Sequence, residues 1–227
     1  DRRQTILERT VGGWGAAEIP NPYRNQWRGS IVGLLPNTEY EVRVTYADPE
    51  GIIGPNPLSG IVRTRDENLP VGGGSTFVVS PDGDDSASGS ELNPWRTIQH
   101  AADIVLPGDT VLLRGGIHIP QEQSHRGGIC AIVLTRSGTP DKYITFQNYP
   151  AENPIVDGNN TGTIFTLDGA CYTRIKGLEI RNAKNYCIKL AVNANYNVIE
   201  DCQILDFGSN VPQAGIGITL WAAYNLI

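Results

Sequence analysis

The sequence predicts an all-β protein, and three observations support this fold class. Glycine (26 residues) and proline (15 residues) are abundant in the 227-residue chain, and threonine, isoleucine, valine and tyrosine recur in short runs. This composition favours short strands and turns over helices. The segment 38–47 (TEYEVRVTYA) alternates apolar and polar residues with the period of a half-buried strand. From residue 143 onward similar segments recur, which indicates stacked coils.

Composition also limits the functions to consider. The hydrophobic content of 40% and the charged content of 19% are sufficient for a packed core. The net charge of −6 argues against general nucleic-acid binding. No apolar run approaches the roughly 18 residues of a membrane span, and no signal peptide is visible. The chain lacks methionine, so we expect it to be a mature or excised piece of a longer protein with other domains.

Residues 1–66 predict a first domain of alternating strands. Strands are expected at 38–47 and 59–64, with Tyr40 on the buried face of the first. The stretch Leu35-Pro36-Asn37-Thr38-Glu39-Tyr40, together with Leu34 before it, matches the pattern Leu-x-Pro-x-Thr-x-Tyr, so that residues 29–64 resemble the second half of a fibronectin type III domain. The resemblance implies a partial β-sandwich that lacks its N-terminal strands. Residues 67–75 are acidic and then glycine-rich, which predicts a linker.

Residues 76–227 predict a second domain, which opens with a strand, a turn-rich stretch and a helix. In the segment 94–105, Ile98, Ala101, Ala102 and Val105 have helical spacing. The preceding stretch 80–95 (SPDGDDSASGSELNPW) contains three aspartates within four positions. A calcium loop of the EF-hand type does not fit, because Ser86, Ala87 and Asn93 stand where a ligand, glycine and glutamate are required. We therefore expect a structural turn leading to a helix that covers the open end of the coils.

The repeats predict the architecture of this second domain. Tyr143, Tyr172, Tyr196 and Tyr224 each begin a similar segment, and apolar residues recur at fixed distances from them. The expected ladders of inward side chains are Phe146/Ile175/Ile199/Ile227, Tyr149/Leu178/Cys202, Ile155/Ile180/Ile204, Phe165/Ile188/Ile218 and Leu167/Leu190/Leu220. One coil cannot bury these side chains alone, whereas stacked coils form a continuous core. The pattern therefore predicts a parallel β-helix, with Cys202 as an inward free thiol.

A family resemblance supports the same architecture. Residues 77–118 contain a strand, an SP-x-G-x-D turn, an NP-W-x-T-I-Q-x-A helix start and a P-G-D-T turn. The matching residues are Ser80, Pro81, Gly83, Asp85, Asn93, Pro94, Trp95, Thr97, Ile98, Gln99, Ala101, Pro107, Gly108, Asp109 and Thr110. This segment resembles the N-terminal start of pectate-lyase-like right-handed β-helix proteins. The resemblance implies a right-handed parallel β-helix with a short N-terminal capping helix, truncated here after about four coils.

The resemblance also implies a chemistry. Many relatives are secreted enzymes that act on polysaccharides, and a lyase requires a base and a cation at the substrate carboxylate, often Ca²⁺ held by aspartates. In the family those groups come from later coils, so no catalytic or metal-binding residue is assigned here. Calcium is a possible cofactor and no other cofactor is evident.

Four cations are the candidate substrate-binding residues. The segment 173–190 contains Arg174, Lys176, Arg181 and Lys189 but few acids, and the last two are expected to point outward. They could form a binding strip for an acidic glycan, or simply a solvated face.

Other polar and cysteine residues leave alternatives open. Three polar residues recur shortly after an isoleucine in the segments IVDG, IRNA and ILDF: Asp157, Asn182 and Asp206. They could form a ladder of calcium ligands, or they could be turn residues. His125 and the pair Glu200-Asp201 are expected to be isolated. No CxxC spacing occurs among the four cysteines, Cys130, Cys171, Cys187 and Cys202, so neither a zinc site nor a redox site is indicated. They are expected to be free thiols or to form one disulfide, whose two partners the sequence does not identify.

Two functional hypotheses follow. The first is a segment of a secreted multidomain carbohydrate-active protein of polysaccharide-lyase type, which binds or cleaves acidic polysaccharide. The second is a non-catalytic cell-surface, adhesive or filament-forming protein in which both modules are spacers and self-assembly is possible. Whether the chain is an enzyme is left open, because the catalytic residues cannot be identified in this segment.

Overall fold

The computed structural model describes residues 8–10, 26–28, 31, 33–64, 66, 70, 73–208, 215–218 and 225. The chain divides into two compact units, residues 1–69 and residues 70–227. Tyr224, Ile227 and Leu220, which were expected to continue three ladders, lie outside the described residues.

The described residues of the first unit form two antiparallel strand pairs. Its strands are β1 (Glu8–Thr10), β2 (Gln26–Arg28), β3 (Glu39–Val44) and β4 (Leu58–Arg63). β1 pairs with β2, and β3 pairs with β4 so that Tyr40 lies opposite Val62. Along β3, Tyr40 and the residues two and four positions later are less exposed than their neighbours, as the alternation predicts. The Tyr40 hydroxyl accepts a hydrogen bond of 2.7 Å from the backbone N–H of Leu35.

The second unit is a parallel β-helix of four coils preceded by a strand and a helix. Its elements are β5 (Thr76–Val79), α1 (Ile98–Ile104), β6 (Thr110–Leu113), β7 (Gly116–His118), β8 (Gln123–His125), β9 (Gly128–Leu134), β10 (Ile144–Asn148), β11 (Pro154–Thr161), β12 (Thr163–Leu167), β13 (Thr173–Lys176), β14 (Glu179–Ala183), β15 (Ile188–Leu190), β16 (Val198–Glu200), β17 (Gln203–Phe207) and β18 (Ile216–Ile218). The first sheet has the order β5-β6-β10-β13-β16, the second β7-β11-β14-β17, and the third β8-β9-β12-β15-β18. Each coil contributes one strand to each sheet, except that the first coil adds β8 to the third sheet through an antiparallel hairpin with β9. The other strand pairs described in this unit are parallel.

The register of the strands confirms the ladders in part. Phe146 pairs with Ile175 and Ile175 with Ile199, and all three side chains are buried. In the third sheet Ile188 pairs with Ile216, not with Ile218 as expected. The error is a shift of two residues, which preserves the inward face because strand side chains alternate with a period of two. The repeat pattern therefore predicted the inward face of this strand correctly but assigned Ile188 the wrong partner on the next coil.

A second register correction concerns the second sheet. Val156, fully buried, pairs with Ile180, whereas Ile155 pairs with Glu179 on the outer face. The turn between β10 and β11 is one residue longer than the expected alignment allows, so the next residue along the strand occupies the inward position.

The turn before the first sheet is held by tyrosines and asparagines. The Tyr143 and Tyr172 rings are perpendicular at 5.7 Å, and the Tyr172 and Tyr196 rings are stacked at 5.0 Å. Directly after Tyr196, the fully buried Asn197 accepts a hydrogen bond of 2.9 Å from Thr173 N–H on the preceding coil. Its amide also donates to the carbonyl of Ala170 at 2.9 Å. Two buried backbone groups at this turn, the N–H of Thr173 and the carbonyl of Ala170, thereby obtain a partner from the neighbouring coil.

Asn225 repeats this arrangement one coil later. Its side-chain oxygen accepts from the N–H of Asn197 at 2.8 Å, and its amide donates to the carbonyl of Ala194 at 2.9 Å. The asparagines therefore form a ladder along the stack.

The aspartate-rich stretch before α1 organises a turn. Asp85 Oδ1 accepts from the N–H groups of Arg96 at 2.8 Å and Thr97 at 2.9 Å, and its Oδ2 accepts from the Thr97 hydroxyl at 2.7 Å. Thr97 in turn accepts at its Oγ1 from His100 N–H at 3.1 Å, as the N-cap of α1. A side chain at Gly83 would collide with the carbonyl of Trp95, which explains the glycine between the aspartates. The predicted helix is present, and Ile98 and both following alanines on its inner face are buried.

Candidate functional site

The four predicted substrate-binding cations do not form one strip. Arg174 and Lys176 lie on β13 in the first sheet, Arg181 on β14 in the second, and Lys189 on β15 in the third. Residues 174–189 span three strands of a single coil, and each strand belongs to a different face of the β-helix. The single surface inferred from the sequence is therefore replaced by three separate clusters of charge.

On the first sheet, the cations are paired with acids of the next coil. Lys176 Nζ lies 2.8 Å from Glu200 Oε1 and 3.4 Å from Asp201 Oδ2. Arg174 also donates to Glu200, from Nε at 3.1 Å and from a terminal nitrogen. Burial alone would raise the pKa of Glu200, but the contacts from Lys176 and Arg174 outweigh it and lower the pKa. The expectation that Glu200 and Asp201 are isolated is wrong, because their partners lie one coil away.

On the second sheet, Arg181 bridges two acids. Its Nε contacts Asp157 Oδ2 at 2.9 Å, and its Nη1 contacts Glu179 Oε1 at 2.9 Å. Asn182 donates to both oxygens of Asp157 at 2.9 Å, and the N–H of Asn159 donates to Oδ1 at 2.9 Å. Burial would raise the pKa of Asp157, but these hydrogen bonds and the guanidinium lower it.

These contacts favour the turn interpretation of Asp157 over the calcium ladder. Asp157 pairs in register with Arg181, whereas Asn182 and Asp206 lie one residue beyond that position. Asn182 and Asp206 have left-handed backbone conformations, with φ of 60° and 48°, which short polar side chains tolerate at turns. Among the described residues, no group of three or more His, Cys, Asp or Glu side chains could hold a metal ion.

On the third sheet, Lys189 lies in register with Thr166 and Gly217. Within the described part of the chain it forms no ion pair, unlike the other three candidates. Nearby, Asp168 follows β12 and accepts from His125 Nε2 at 2.7 Å and from Arg126 Nε at 2.5 Å. His125 is therefore not isolated, and the expectation is corrected: its partner lies on the next coil, 43 residues further along the chain.

A further cluster was not anticipated from the sequence. Arg114 contacts Glu152 with two nitrogens, Nη2 at 2.8 Å and Nε at 3.1 Å, and its guanidinium lies 4.4 Å from the centre of the Tyr149 ring. Tyr149 was expected in the inward ladder of Leu178, but it is half-buried and its hydroxyl donates to Glu91. The pKa of Glu152 is lowered, first by the N–H of Gly115 and then by Arg114. Glu152 lies in the turn between β10 and β11, whose length also shifts the register of Ile155. Because this turn is outside the repeated strand segments, the repeat pattern could not predict the contact of Glu152 with Arg114.

The cysteines do not pair with one another. All four are free thiols. Burial raises the pKa of Cys187 to about 12, and burial also raises the pKa of Cys130 and Cys202. Cys202 packs against the core as an inward thiol, as expected.

The described helices include no segment with the length and hydropathy of a membrane span.

Comparison with known proteins gives matches to β-helix proteins. Residues 77–227 match the family model described as a Pel9A-like, right-handed β-helix region. The chain is 34% identical over 125 residues to pectate lyase PEL9 of Emericella nidulans, covering 53% of this chain and 28% of that protein. It is 35% identical over 89 residues to the uncharacterized protein YwoF of Bacillus subtilis strain 168, covering 39% of this chain and 17% of that protein. The chain thus spans less than a third of the length of either relative.

Two solved structures share the fold. The crystal structure of pectate lyase Pel9A superposes with a TM-score of 0.56 at 21% identity, covering 68% of this chain and 38% of that one. A rhamnogalacturonan lyase superposes with a TM-score of 0.51 at 23% identity, covering 57% of this chain and 35% of that one. At these identities the comparison establishes the parallel β-helix architecture.

Proposed function

Because the chain belongs to the Pel9A-like right-handed β-helix family, we propose that it acts on acidic polysaccharide as a protein of the polysaccharide-lyase type. The observation that carries this proposal is the 34% identity over 125 residues to pectate lyase PEL9. The name of that relative describes an enzyme that cleaves pectate, an acidic glycan. The other hypothesis, a purely structural protein, has no comparable observation in its favour.

The outer faces of the sheets are suited to a polymeric ligand. Parallel strands bring side chains from successive coils into rows with a spacing of about 4.8 Å. Arg174, Lys176, Arg181 and Lys189 lie on outward-facing rows, where their charges attract carboxylate groups. Three of them are already neutralised by acids, and a glycan would have to compete for them. A carboxylate could therefore contact Lys189 without displacing an existing ion pair, unlike the other three candidates.

The described residues do not by themselves form a lyase active site. Such an enzyme removes the proton α to a uronate carboxylate and therefore needs an unprotonated base close to a bound cation. Arg174 and Lys176 are both held by Glu200, and the pKa of Lys176 is raised by that contact. Calcium does not fit this part of the chain either, because Asp157 is occupied by Arg181 and Asn182. The role proposed for these coils is therefore binding.

Two structural assignments accompany this proposal. Residues 1–66 would form a fibronectin type III-like module, which the β3–β4 hairpin and the hydrogen bond between Tyr40 and Leu35 support. Residues 67–75 would be the linker, and α1 would cover the open end of the first coil, as its buried inner face suggests. We also propose that the protein is secreted or displayed at the cell surface, where acidic polysaccharides occur.

Affinity electrophoresis would test the proposed function. The chain would migrate through gels that contain polygalacturonate, alginate or neutral dextran, with ultraviolet absorbance used in parallel to detect unsaturated cleavage products. We expect retardation by the acidic glycans that is reduced by added salt, because exposed charges are screened. A folded chain that is retarded by neither acidic glycan would contradict the proposal and favour the structural hypothesis.

A further inference from the structure

We propose that the outer face of the third sheet carries a contact site for the carboxylate of an acidic sugar, formed by Arg126, Lys189 and Tyr186 around the buried Asp168. We call this set of four residues the third-sheet site. The inference rests on the proposed function and deepens it by naming the residues and the sugar chemistry.

The charge balance distinguishes this face from the other two. On the first sheet Arg174 and Lys176 face two acids, and on the second sheet Arg181 faces two acids. On the third sheet a single acid, Asp168, faces Arg126, with Lys189 in addition. Among the described clusters on the three sheets, it is therefore the one with an excess of cations, which an anionic ligand would neutralise.

Asp168 holds Arg126 in a position to bind an anion. The Asp168 side chain is 5% exposed, whereas the Arg126 side chain is 72% exposed. The contact given for this ion pair joins the Nε of Arg126 to Oδ2 of Asp168. A guanidinium that is exposed to this extent can bind a further carboxylate, and its planar donors suit a bidentate contact.

The geometry of the sheet places Lys189 near Asp168, the acid that contacts this guanidinium. Thr166 pairs with Lys189 and lies two residues before Asp168, so both Thr166 and Asp168 point to the same face. Neighbouring strands are about 4.8 Å apart and residues two apart on a strand are about 7 Å apart. Lys189 and Asp168 are therefore diagonal neighbours, and because Arg126 contacts Asp168, the proposed site uses both cations of this part of the face.

Tyr186 supplies an apolar surface beside the cations. Gly217 lies in register with Lys189, and a Cβ at Gly217 would lie 2.5 Å from the Tyr186 ring. The ring therefore packs against the outer face of Gly217, next to Lys189. A half-buried tyrosine offers one ring face for apolar contact and a hydroxyl for hydrogen bonding. This combination suits a sugar ring that has an apolar face and a carboxylate.

The test compares binding of polygalacturonate with binding of its methyl-esterified, uncharged form. The variants are R126Q, K189Q, the double variant R126Q/K189Q and Y186L, with K142Q as control because Lys142 is an exposed lysine on another turn. Thermal unfolding establishes that each variant is folded. We expect each single variant to bind polygalacturonate about three- to tenfold more weakly than the wild type. The double variant should bind more weakly than either cation variant alone, and the affinity of K142Q should equal that of the wild type.

The outcomes separate this inference from the proposed function. Wild-type binding to polygalacturonate that R126Q/K189Q retains in full would overturn the third-sheet site and leave the proposed function standing. Wild-type chain that binds neither form of the polymer would overturn both. Equal wild-type affinity for the charged and the esterified polymer would also overturn the site, because its cations would then contribute nothing.

Discussion

Replacement of Asp85 by alanine should destabilise the second unit although the residue is far from the candidate binding faces. In the structure its carboxylate accepts hydrogen bonds from two backbone N–H groups, those of Arg96 and Thr97, and from the Thr97 hydroxyl. Alanine would leave the partly buried N–H of Thr97 and the exposed N–H of Arg96 without this partner. A buried donor that loses its partner costs about 1–3 kcal/mol, whereas the exposed N–H can bond to water and the hydroxyl can reorient, so we expect about 1–3 kcal/mol in total.

The assay is urea unfolding followed by near-ultraviolet circular dichroism, with D82A as the matched control. Asp82 is exposed and its carboxylate makes no hydrogen bond within the described residues, so D82A should change the free energy of unfolding by less than about 0.5 kcal/mol. D85N keeps an acceptor for the N–H groups and should cost about 1 kcal/mol. Equal stability of D85A and D82A would refute the structural role of the carboxylate.

The pH dependence provides an independent check. Burial would raise the pKa of Asp85, but the hydrogen bonds from Thr97 and Arg96 outweigh it and lower the pKa. Because the pKa is lower in the folded state, the ionised carboxylate stabilises the fold above the pKa of the unfolded aspartate. This stabilisation is lost as the pH falls through the folded pKa. The stability difference between wild type and D85N should therefore shrink below about pH 4. A difference that does not change with pH would show that the charge is not involved.

Three further predictions concern the core and the turns. N197L should lower the free energy of unfolding by about 2–4 kcal/mol, measured by urea unfolding, because it removes two hydrogen bonds to buried backbone groups of the preceding coil; a loss below 1 kcal/mol would contradict this. G83A should lower the thermal midpoint, because a Cβ would collide with the carbonyl of Trp95, whereas G128A, with its nearest atom at 3.6 Å, should not. Cys187, with its pKa raised to about 12, should not react with a thiol reagent at pH 8 unless the protein is unfolded; rapid labelling of the native protein would argue against its burial.

The β-helix could be predicted because its core repeats along the chain. Phe146, Ile175 and Ile199 recur at equal distances from a tyrosine, and the structure places them in one ladder. The prediction was wrong at Ile155 and Ile218, where turns differ in length. A strand pattern determines which face a residue occupies, but turn length determines which residue of the next coil it meets.

The charged clusters could not be predicted in the same way. The sequence shows an excess of cations between residues 173 and 190, but Glu200 and Asp157, which neutralise them, lie on the neighbouring coils. The contact of His125 with Asp168 has the same origin. Charges that are distant in the chain become neighbours when coils stack, so a count of local charge overestimates the free cations.

The separations of these ion pairs have a consequence for how the sequence can change. Arg174 and Glu200 are 26 residues apart, Arg181 and Asp157 are 24 apart, and Arg114 and Glu152 are 38 apart. Each pair joins adjacent coils, so a substitution of one member leaves its partner without a counter-charge. Compensating substitutions should consequently accumulate one coil away, and homologous sequences should show correlated changes at coil-length separations rather than between sequence neighbours.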